Sequence, residues 1–562
     1  MESGTTSELR TAEHDGVQPH ATPGDFTQSP PSLENTFDTD VALREYLERA
    51  LPPDMYESVT PKLHDLGEQA AGPMRELARE AERHPPELVS FDAWGNRIDR
   101  IDVSPAWTEM HRIQARFGVC AVPRDRELGE HARLVQHALL HLYGPASAVY
   151  NCPVSMTDAA ARTLELHGQP ELRDRVVPNL ISTTEGAWTS GQWMTERPGG
   201  SDVGRTETVA RQDAGGRWRL SGVKWFTSAT TADCALALAR PEGAESGSRG
   251  LALFLVELVD PQTDESQIGK TILVNRLKDK LGTKALPTAE LTLDGAPATP
   301  VGDAENGLRK IAAMLNVCRL HNSMAAAAGM RRGQQLAESY ARVRQAFGAT
   351  LAELPLHRET LDEMNAEAES AFALTFHAMK LYGRVERGIA DEVEERSLRA
   401  LVPLTKLFTA KLAVAHASET LESFGGAGYV EDTELPGLLR DAQVLPIWEG
   451  TTNVLSLDLL RAEAKDGAVT ALIDDLDRHL AIGGESNTPA GDVAYVCEEL
   501  GREVCTWGHH DPVELQSGMR VFALRLARAY SAALMIDHGR HRSDLGDDRA
   551  AKVAARAAAH VA

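Results

Sequence analysis

The 562-residue sequence contains no run of about 18 apolar residues, so it predicts no transmembrane helix. Its first residues, MESGTTSELRTAEHDG, lack a basic start and an apolar core, and we therefore expect no secretory signal. Six cysteines lie far apart and none forms a C-x-x-C pair, so the usual zinc and disulfide patterns are missing. We expect a cytoplasmic protein whose thiols are buried.

Positive charge is also scarce, because 58 Lys and Arg face 82 Asp and Glu, for a formal net charge of -24. Proteins bind nucleic acid and anionic membranes through clustered Lys and Arg, so this composition argues against both partners. No G-x-G-x-x-G motif follows a predicted strand. A dinucleotide, if one binds, is therefore not held by a Rossmann fold.

The pattern of apolar residues divides the chain into five parts. Residues 1–40 hold eight acids and one base and predict a disordered acidic tail. Helical periodicity predicts an N-terminal helical domain over 41–191, a helical bundle over 304–465 and a helical C-terminal extension over 466–562. Alternating stretches such as CALALAR and GLALFLVEL predict a β-domain over 192–303. The fold class is therefore α+β, without the βαβ alternation of a parallel sheet.

One carboxyl group stands alone in the apolar segment VLPIWEGTTNVLS. Glu449 is its only ionisable side chain, and it follows the aromatic Trp448. Burial beside an indole raises the pKa of a carboxyl group and makes it a stronger base. The alternative is a glutamate that caps the first turn of a helix.

Four further motifs have residue types that suit a phosphate or a flat ring. They are TERPGGSD (195–202), KWFTS (224–228), R-x-x-F-G (344–348) and FGGAGY (424–429). Paired glycines let backbone N–H groups approach a ligand closely. Arg344 and Phe347, three residues apart at the expected end of a helix, would share one face. Each motif also has a simpler explanation when it is taken alone. TERPGGSD fits a turn and KWFTS fits a cross-strand aromatic. R-x-x-F-G fits a solvated arginine and FGGAGY fits a helix C-cap.

PIWEGTTNV follows these four motifs. With the five motifs in this order, the chain resembles the acyl-CoA dehydrogenase superfamily over residues 50 to 465. FDAWGNRIDRIDVSPAW, NRLKDKLGTKA and the C-terminal extension are similar to its AidB-like branch of adaptive-response flavoproteins. The resemblance implies an N-terminal helical domain, a middle β-barrel domain and a C-terminal helical bundle, followed here by the helical extension.

The resemblance also implies FAD and a homo-oligomer, either a dimer or a tetramer, in which one subunit completes the site of another. The residues implied to line the flavin ring are Trp193, Thr195, Trp225 and Thr227, with Ser201 near the flavin pyrophosphate or the thioester end of the substrate. Further cofactor contacts are implied for Arg344, Phe347, Gly425, Gly426, Thr451 and Asn453. The implied substrate contacts are Arg319 and Trp448.

The activity implied by the resemblance is α,β-dehydrogenation of an acyl thioester. Glu449 would remove the α-proton and the flavin N5 would accept the β-hydride. The carrier, coenzyme A or a carrier protein, stays open, as does the acceptor, an electron-transfer partner or oxygen. The segment AVYNCPVSMTD (148–158) is expected to border the acyl pocket.

Two other functions remain open from the sequence. One is an oxygen-using flavin oxidase or monooxygenase of secondary metabolism, although N-hydroxylation needs no base of the Glu449 kind. The other is an AidB-like, DNA-associated flavoprotein. That role requires a basic face, for which the candidates are Arg525, Arg528, Arg540 and Arg542.

Overall fold

The computed structural model describes residues 29–480 and 488–561. Within these ranges no helix is long and apolar enough to cross a membrane. In the described residues, helices lie on both sides of a central β-domain, which confirms the α+β fold class. Residues 1–28, most of the predicted tail, lie outside the described residues.

The N-terminal part is built from helices that pack around one another. Its helices are α1 (Val41–Ala50), α2 (Pro53–Ala71), α3 (Pro73–Arg83), α4 (Pro105–Arg116), α5 (Ala132–Tyr143), α6 (Asn151–His167) and α7 (Pro170–Leu180). Between α3 and α4 the chain forms a hairpin of β1 (Glu87–Phe91) and β2 (Arg97–Asp102). The sequence did not predict this hairpin, since its RIDRID strand is mostly polar. It packs on the β-domain, where Asp99 accepts the backbone N–H of Val274.

The disordered tail was predicted to reach residue 40, and this limit is wrong. Phe37 and Asp40 are buried. The Asp40 carboxylate accepts the N–H of Leu43 and so caps α1. It also lies 2.9 Å from His141 Nε2. The last residues of the predicted tail therefore belong to the folded N-terminal part.

The β-domain contains a closed circuit in which β11, β5, β4, β6 and β7 are joined in turn by hydrogen bonds. Strand β3 extends the circuit beside β6, and β10 extends it beside β11. The strands are β3 (Ser190–Trp193), β4 (Val209–Gln212), β5 (Trp218–Ser228), β6 (Cys234–Pro241), β7 (Ala252–Glu257), β8 (Val259–Asp260), β9 (Glu265–Ser266), β10 (Ile272–Leu277) and β11 (Thr288–Pro300). The stretches CALALAR and GLALFLVEL form β6 and β7, as predicted.

The C-terminal bundle and the extension complete the chain. The bundle comprises α8 (Gly307–Val343), β12 (Gln345–Ala346), β13 (Ala349–Thr350), α9 (Pro355–Glu386), α10 (Glu392–Ser423), α11 (Leu435–Ala442) and α12 (Thr452–Asp466). The extension comprises α13 (Ala468–Leu480), α14 (Pro489–Thr506), α15 (Pro512–Asp544) and α16 (Arg549–Ala559). The elements change type near residues 191 and 303, and α12 ends at Asp466, so we propose domain borders near 191, 303 and 465.

A buried charge cluster ties the N-terminal helices to the bundle. Asp158, fully buried in α6, accepts hydrogen bonds from Arg124, Arg133 and Gln136 of the N-terminal part. Its Oδ2 also lies 3.0 Å from Nε2 of His321 on α8. Burial raises the pKa of Asp158, but the two arginines outweigh it and hold the pKa well below its ordinary value. This cluster orients α8, which carries part of the candidate site.

Candidate active site

The candidate site is organised around the turn between α11 and α12, which contains Glu449. Glu449 has φ of +56°, in the left-handed region, and Gly450 follows with φ of +103°. A left-handed conformation at a non-glycine residue costs about 1–3 kcal/mol, and such strain concentrates at functional sites. A Cβ on Gly450 would lie 2.9 Å from Cδ2 of Leu455, so only glycine fits here.

Two cations from different helices hold the backbone of this turn. Arg319 on α8 donates from Nε to the carbonyl oxygen of Glu449 at 3.3 Å. Lys406 on α10 donates from Nζ to the carbonyl oxygen of Gly450 at 2.6 Å. Arg319 is itself fixed by a 3.0 Å ion pair with Asp458 on α12. The strained turn is therefore restrained from both sides by charged hydrogen bonds, which are stronger than neutral ones.

The electrostatic surroundings of Glu449 favour a reactive base. Burial raises the pKa of Glu449, and the positive charges of Arg319 and Lys406 and a hydrogen bond from Gln192 oppose the rise only in part. Its Oε2 atom is enclosed and has no hydrogen-bond partner among the described residues. Burial also lowers the pKa of Lys406 to about 7, against the attraction of Glu449.

The alternative role for Glu449, capping a helix, finds no support in the geometry. Helix α12 begins at Thr452 with Thr451 as its N-cap residue. Within the described part of the chain, no backbone N–H of the first turn of α12 donates to the Glu449 carboxylate. The carboxylate is therefore available to another group.

Strand β3 contributes a residue that the sequence analysis did not select. Trp193 packs inside the β-barrel and is only 1% exposed, which corrects the expectation that it lines a flavin ring. Its neighbour Gln192 points the opposite way and hydrogen-bonds Glu449. Cys318 on α8 donates to Gln192 Oε1 at 3.6 Å. Successive strand side chains face opposite sides, so Trp193 and Gln192 cannot both reach the site.

The TERPGGSD and KWFTS motifs meet in space. The backbone N–H of Trp225 donates to the carbonyl oxygen of Thr195 at 2.9 Å. Trp225 is half-buried, and Lys278 Nζ lies 3.7 Å from its ring centre. Thr227 is fully buried and donates to the Ala289 carbonyl, so its oxygen is left as an acceptor. Ser201, in the second half of the TERPGGSD motif, is exposed.

The prediction that Arg344 and Phe347 share one face at the end of a helix is wrong. Helix α8 ends at Val343 with Arg344 as its C-cap residue, and Phe347 lies in the turn of the small hairpin of β12 and β13. Phe347 is at its tip, with φ of +53° and 97% exposure. In a single chain the structure does not bring this pair to Glu449.

The remaining expected cofactor residues are also exposed. Gly425 and Gly426 begin a short 3-10 helix, and in the described structure a Cβ added to either would meet no atom within 4 Å. Asn453 lies two residues beyond the N-cap residue Thr451 and accepts a 3.1 Å hydrogen bond from Arg520 on α15. The two glycines thus form an open backbone surface, whereas the Asn453 side chain is bound to Arg520 of the extension.

A cavity of about 340 Å³ adjoins the turn. Trp448 and Leu445 form one wall, and small residues of α8 and α10, among them Gly329 and Ala417, form the others. Ala148, Val149 and Asn151 also line the cavity, so the segment that was expected to border the acyl pocket does border a pocket. Other lining residues are charged, including Arg75 and Glu434, which form an ion pair.

Sequence reasoning missed two residues that the structure places beside Glu449. Gln192 could have been found by assigning Trp193 to the barrel interior and taking the opposite face of the strand. Lys406 has a clearer signal, because it is the one charged residue in the otherwise uncharged PLTKLF. A lysine that is 0% exposed is rare and requires a partner.

Three family models match the chain. They describe the AidB N-terminal domain over residues 28–185, the acyl-CoA dehydrogenase middle domain over 191–296 and the acyl-CoA dehydrogenase C-terminal domain over 305–463.

Two curated relatives and one solved structure are similar over long stretches. Acyl-CoA dehydrogenase family member 11 of Caenorhabditis elegans is 40% identical over 95% of this chain and 89% of its own length. AidB of Escherichia coli K12 is 32% identical over 71% of this chain and 73% of its own length. The crystal structure of C. elegans ACDH-11 in complex with C11-CoA superposes with a TM-score of 0.91 at 39% identity, covering 96% of this chain and 93% of that chain.

Proposed function

The chain belongs to the acyl-CoA dehydrogenase family of FAD-dependent oxidoreductases, and from this premise we propose that it desaturates an acyl-CoA with Glu449 as the base. The observation that carries the proposal is the Glu449 carboxylate. It is held on a strained, doubly restrained turn, its Oε2 has no partner among the described residues, and burial raises its pKa.

Glu449 is suited to remove the weakly acidic proton on the α-carbon of a thioester. The C–H bond breaks, the proton goes to a carboxylate oxygen and the electron pair forms the new double bond. A carboxyl group with a raised pKa holds that proton better than an ordinary one. FAD, when bound, supplies the acceptor for the hydride that leaves the β-carbon.

The backbone of the same turn can polarise the thioester. The N–H of Glu449 donates to no group in the described parts of the chain. Fixed donors aimed at an oxygen that gains negative charge stabilise the transition state. Arg319 and Lys406 donate to the carbonyl oxygens of Glu449 and Gly450, and they therefore restrain the turn that presents this N–H. We assign Arg319 and Lys406 as positioning residues for the base.

The acyl chain would occupy the cavity beside Trp448. Its walls of glycine and alanine leave space along α8 and α10, and burial of methylene groups there contributes about 0.8 kcal/mol each. The relative whose fold matches with a TM-score of 0.91 was crystallised with C11-CoA. We therefore propose unbranched acyl-CoA esters of about eleven carbons as the preferred substrates.

The residues present fit FAD. The backbones of Thr195 and Trp225 meet on the β-domain, and Thr195 is three residues beyond Gln192, which hydrogen-bonds Glu449. A flat ring could lie between these motifs and the Glu449 turn. Ser201 offers an exposed hydroxyl, and the buried Thr227 oxygen can still accept a hydrogen bond. Gly425 and Gly426 offer open backbone, as Thr451 offers a helix N-terminus. Exposed Phe347 and the neighbouring Arg344 suit contact with the cofactor of a second subunit, which supports a homo-oligomer.

The DNA-associated alternative receives little support from the extension. Arg525 pairs with Glu499, and Arg542 pairs with Glu45, Glu48 and Asp547. Arginines neutralised in this way contribute little to phosphate binding. The oxygen-using alternative differs in the electron acceptor, and an experiment with and without oxygen can distinguish the two functions.

An anaerobic titration of the FAD-loaded protein tests the proposal. Acyl-CoA esters of increasing chain length are added while the flavin absorbance is followed, and Glu449→Gln is treated in parallel. We expect loss of absorbance in the wild type with the eleven-carbon ester and not in the variant. Absorbance that no ester changes would refute the proposal. A repeat in air shows whether oxygen re-oxidises the reduced protein.

A further inference from the structure

A second cluster of ligating side chains lies where the extension packs on the bundle. His377 belongs to α9, Asp475 and His479 belong to α13, and Tyr530 belongs to α15. Asp475 and His479 are four residues apart and so share one face of their helix. None of the four is among the residues assigned to the active site or its cavity.

The ligand atoms of the cluster have the spacing of a metal site. One ligand atom from each of His377, Asp475 and His479 lies within 4.8 Å of the other two. Asp475 Oδ2 is 3.4 Å from His377 Nε2 and 3.8 Å from His479 Nε2. Tetrahedral ligands bound at about 2.0–2.1 Å are separated by about 3.4 Å, so only a small closure of the side chains is needed.

An outer carboxylate orients one of the histidines. His479 Nδ1 lies 3.4 Å from Asp537 Oδ2, and Asp537 is held by Arg49 at 3.0 Å. Metal-binding histidines commonly donate their second ring nitrogen to a carboxylate, which directs the first nitrogen to the metal. Asp537 thus turns His479 Nε2 toward Asp475 and His377.

The fourth position is filled by a phenol. Tyr530 Oη lies 2.8 Å from His377 Nε2 and donates to Asp475. Tyr530 is fully buried and His377 is buried. Zn²⁺ ligands bind in their deprotonated form, so metal binding would release the phenol proton that Tyr530 now donates to Asp475. Closure of the cluster by four protein groups is typical of structural sites, whereas catalytic sites keep an open position.

We propose that His377, Asp475 and His479, with Tyr530 as the fourth group, bind one Zn²⁺ ion that fastens the C-terminal extension to the helical bundle. Two imidazoles and a carboxylate in tetrahedral spacing suit Zn²⁺, whereas Mg²⁺ and Ca²⁺ require six or more oxygen ligands. The ion joins α9, α13 and α15, and through Asp537 and Arg49 it also reaches α1.

Metal analysis of the untagged, FAD-loaded protein tests the site. The protein is dialysed against Zn²⁺, freed of unbound ion and assayed for bound zinc and for its thermal unfolding midpoint, with and without a chelator. We expect one zinc ion per chain and a midpoint that falls when the chelator removes it. Protein that retains no zinc and has the same midpoint in both conditions would show a hydrogen-bonded cluster only, and the proposal would be overturned.

Variants separate the cluster from adventitious binding. His479→Gln removes a ligand and should abolish zinc retention, and Asp537→Asn should weaken zinc affinity about 10- to 100-fold. His509→Gln, an exposed histidine of the same extension, should bind zinc like the wild type. If His479→Gln does not fold, Asp537→Asn and the wild-type analysis still show whether zinc binds at this cluster. Equal zinc retention in all three variants would refute the site.

Discussion

Lys406 Nζ lies 2.6 Å from the carbonyl oxygen of Gly450, the residue that follows Glu449. The lysine is fully buried, and its charge is one of two that oppose the rise in the pKa of Glu449. This one contact joins α10 to the strained turn and couples the position of the proposed base to its protonation.

Replacing Lys406 with methionine should change the pH dependence of the reaction. The proposed base works only when ionised, so the rate rises as pH passes through the pKa of Glu449. Loss of the positive charge raises that pKa further, and the acid limb of the kcat/KM profile should move to higher pH. A displaced turn should also lower kcat, by up to about 100-fold.

Lys411→Met, on the same helix and only half-buried, is the matched control and should keep the wild-type profile. An unchanged profile in Lys406→Met would rule out the positioning role.

The same variants test the pH dependence of folding stability. The folded pKa of Lys406 is about 7 against an ordinary 10.5, so the unfolded chain holds more protons between these values and stability rises with pH there. That contribution should disappear in Lys406→Met.

Replacing Glu449 with glutamine should abolish dehydrogenation while the fold and FAD content are preserved. General bases contribute about 10²- to 10⁴-fold, and the rate of flavin reduction by an acyl-CoA should fall by at least this range. Stopped-flow absorbance measures the rate. Glu449→Asp keeps the charge but shortens the side chain, and we expect an intermediate rate. A glutamine variant that reduces its flavin at the wild-type rate would show that another group removes the proton.

Replacing Ala417 with leucine should shorten the range of acyl chains that the enzyme accepts. Ala417 lines the cavity, and extra methylene groups in a packed space cost about 1–3 kcal/mol, or about tenfold and more in affinity. We expect KM to rise for eleven-carbon esters and to stay unchanged for four-carbon esters. Ala415→Leu, exposed on the same helix, serves as the control. An equal loss for short and long esters would contradict an acyl role for the cavity.

Replacing Phe347 with serine should reduce FAD retention and the size of the assembly. An aromatic side chain that is 97% exposed at a hairpin tip suits burial against a second subunit. Flavin content per chain and light-scattering mass are the measurements. Trp94→Ser, which is 89% exposed on the β1–β2 hairpin, should change neither. A Phe347→Ser protein with full flavin content and unchanged mass would exclude Phe347 from the interface.

Family, fold class and the element order followed from local sequence. Motifs such as TERPGGSD and PIWEGTTNV are contiguous, and helical or strand periodicity is a property of neighbouring residues. The candidate base was also evident, since Glu449 is the one carboxyl of an apolar segment. The tail limit, the polar β1–β2 hairpin and the end of α8 were not predicted, because they depend on packing against distant residues rather than on local pattern.

The sequence by itself determined that Glu449 is a single carboxyl group in an apolar segment of an acyl-CoA dehydrogenase chain. Only the tertiary structure decided what surrounds it. Both faces of β3 carry buried residues, so hydrophobicity could not tell that Gln192 faces Glu449 and Trp193 fills the barrel. Lys406 and Arg319 come from separate helices, and only long-range packing places their charges on one turn. A base is recognisable from local composition, but its pKa and direction arise from groups that the fold brings together.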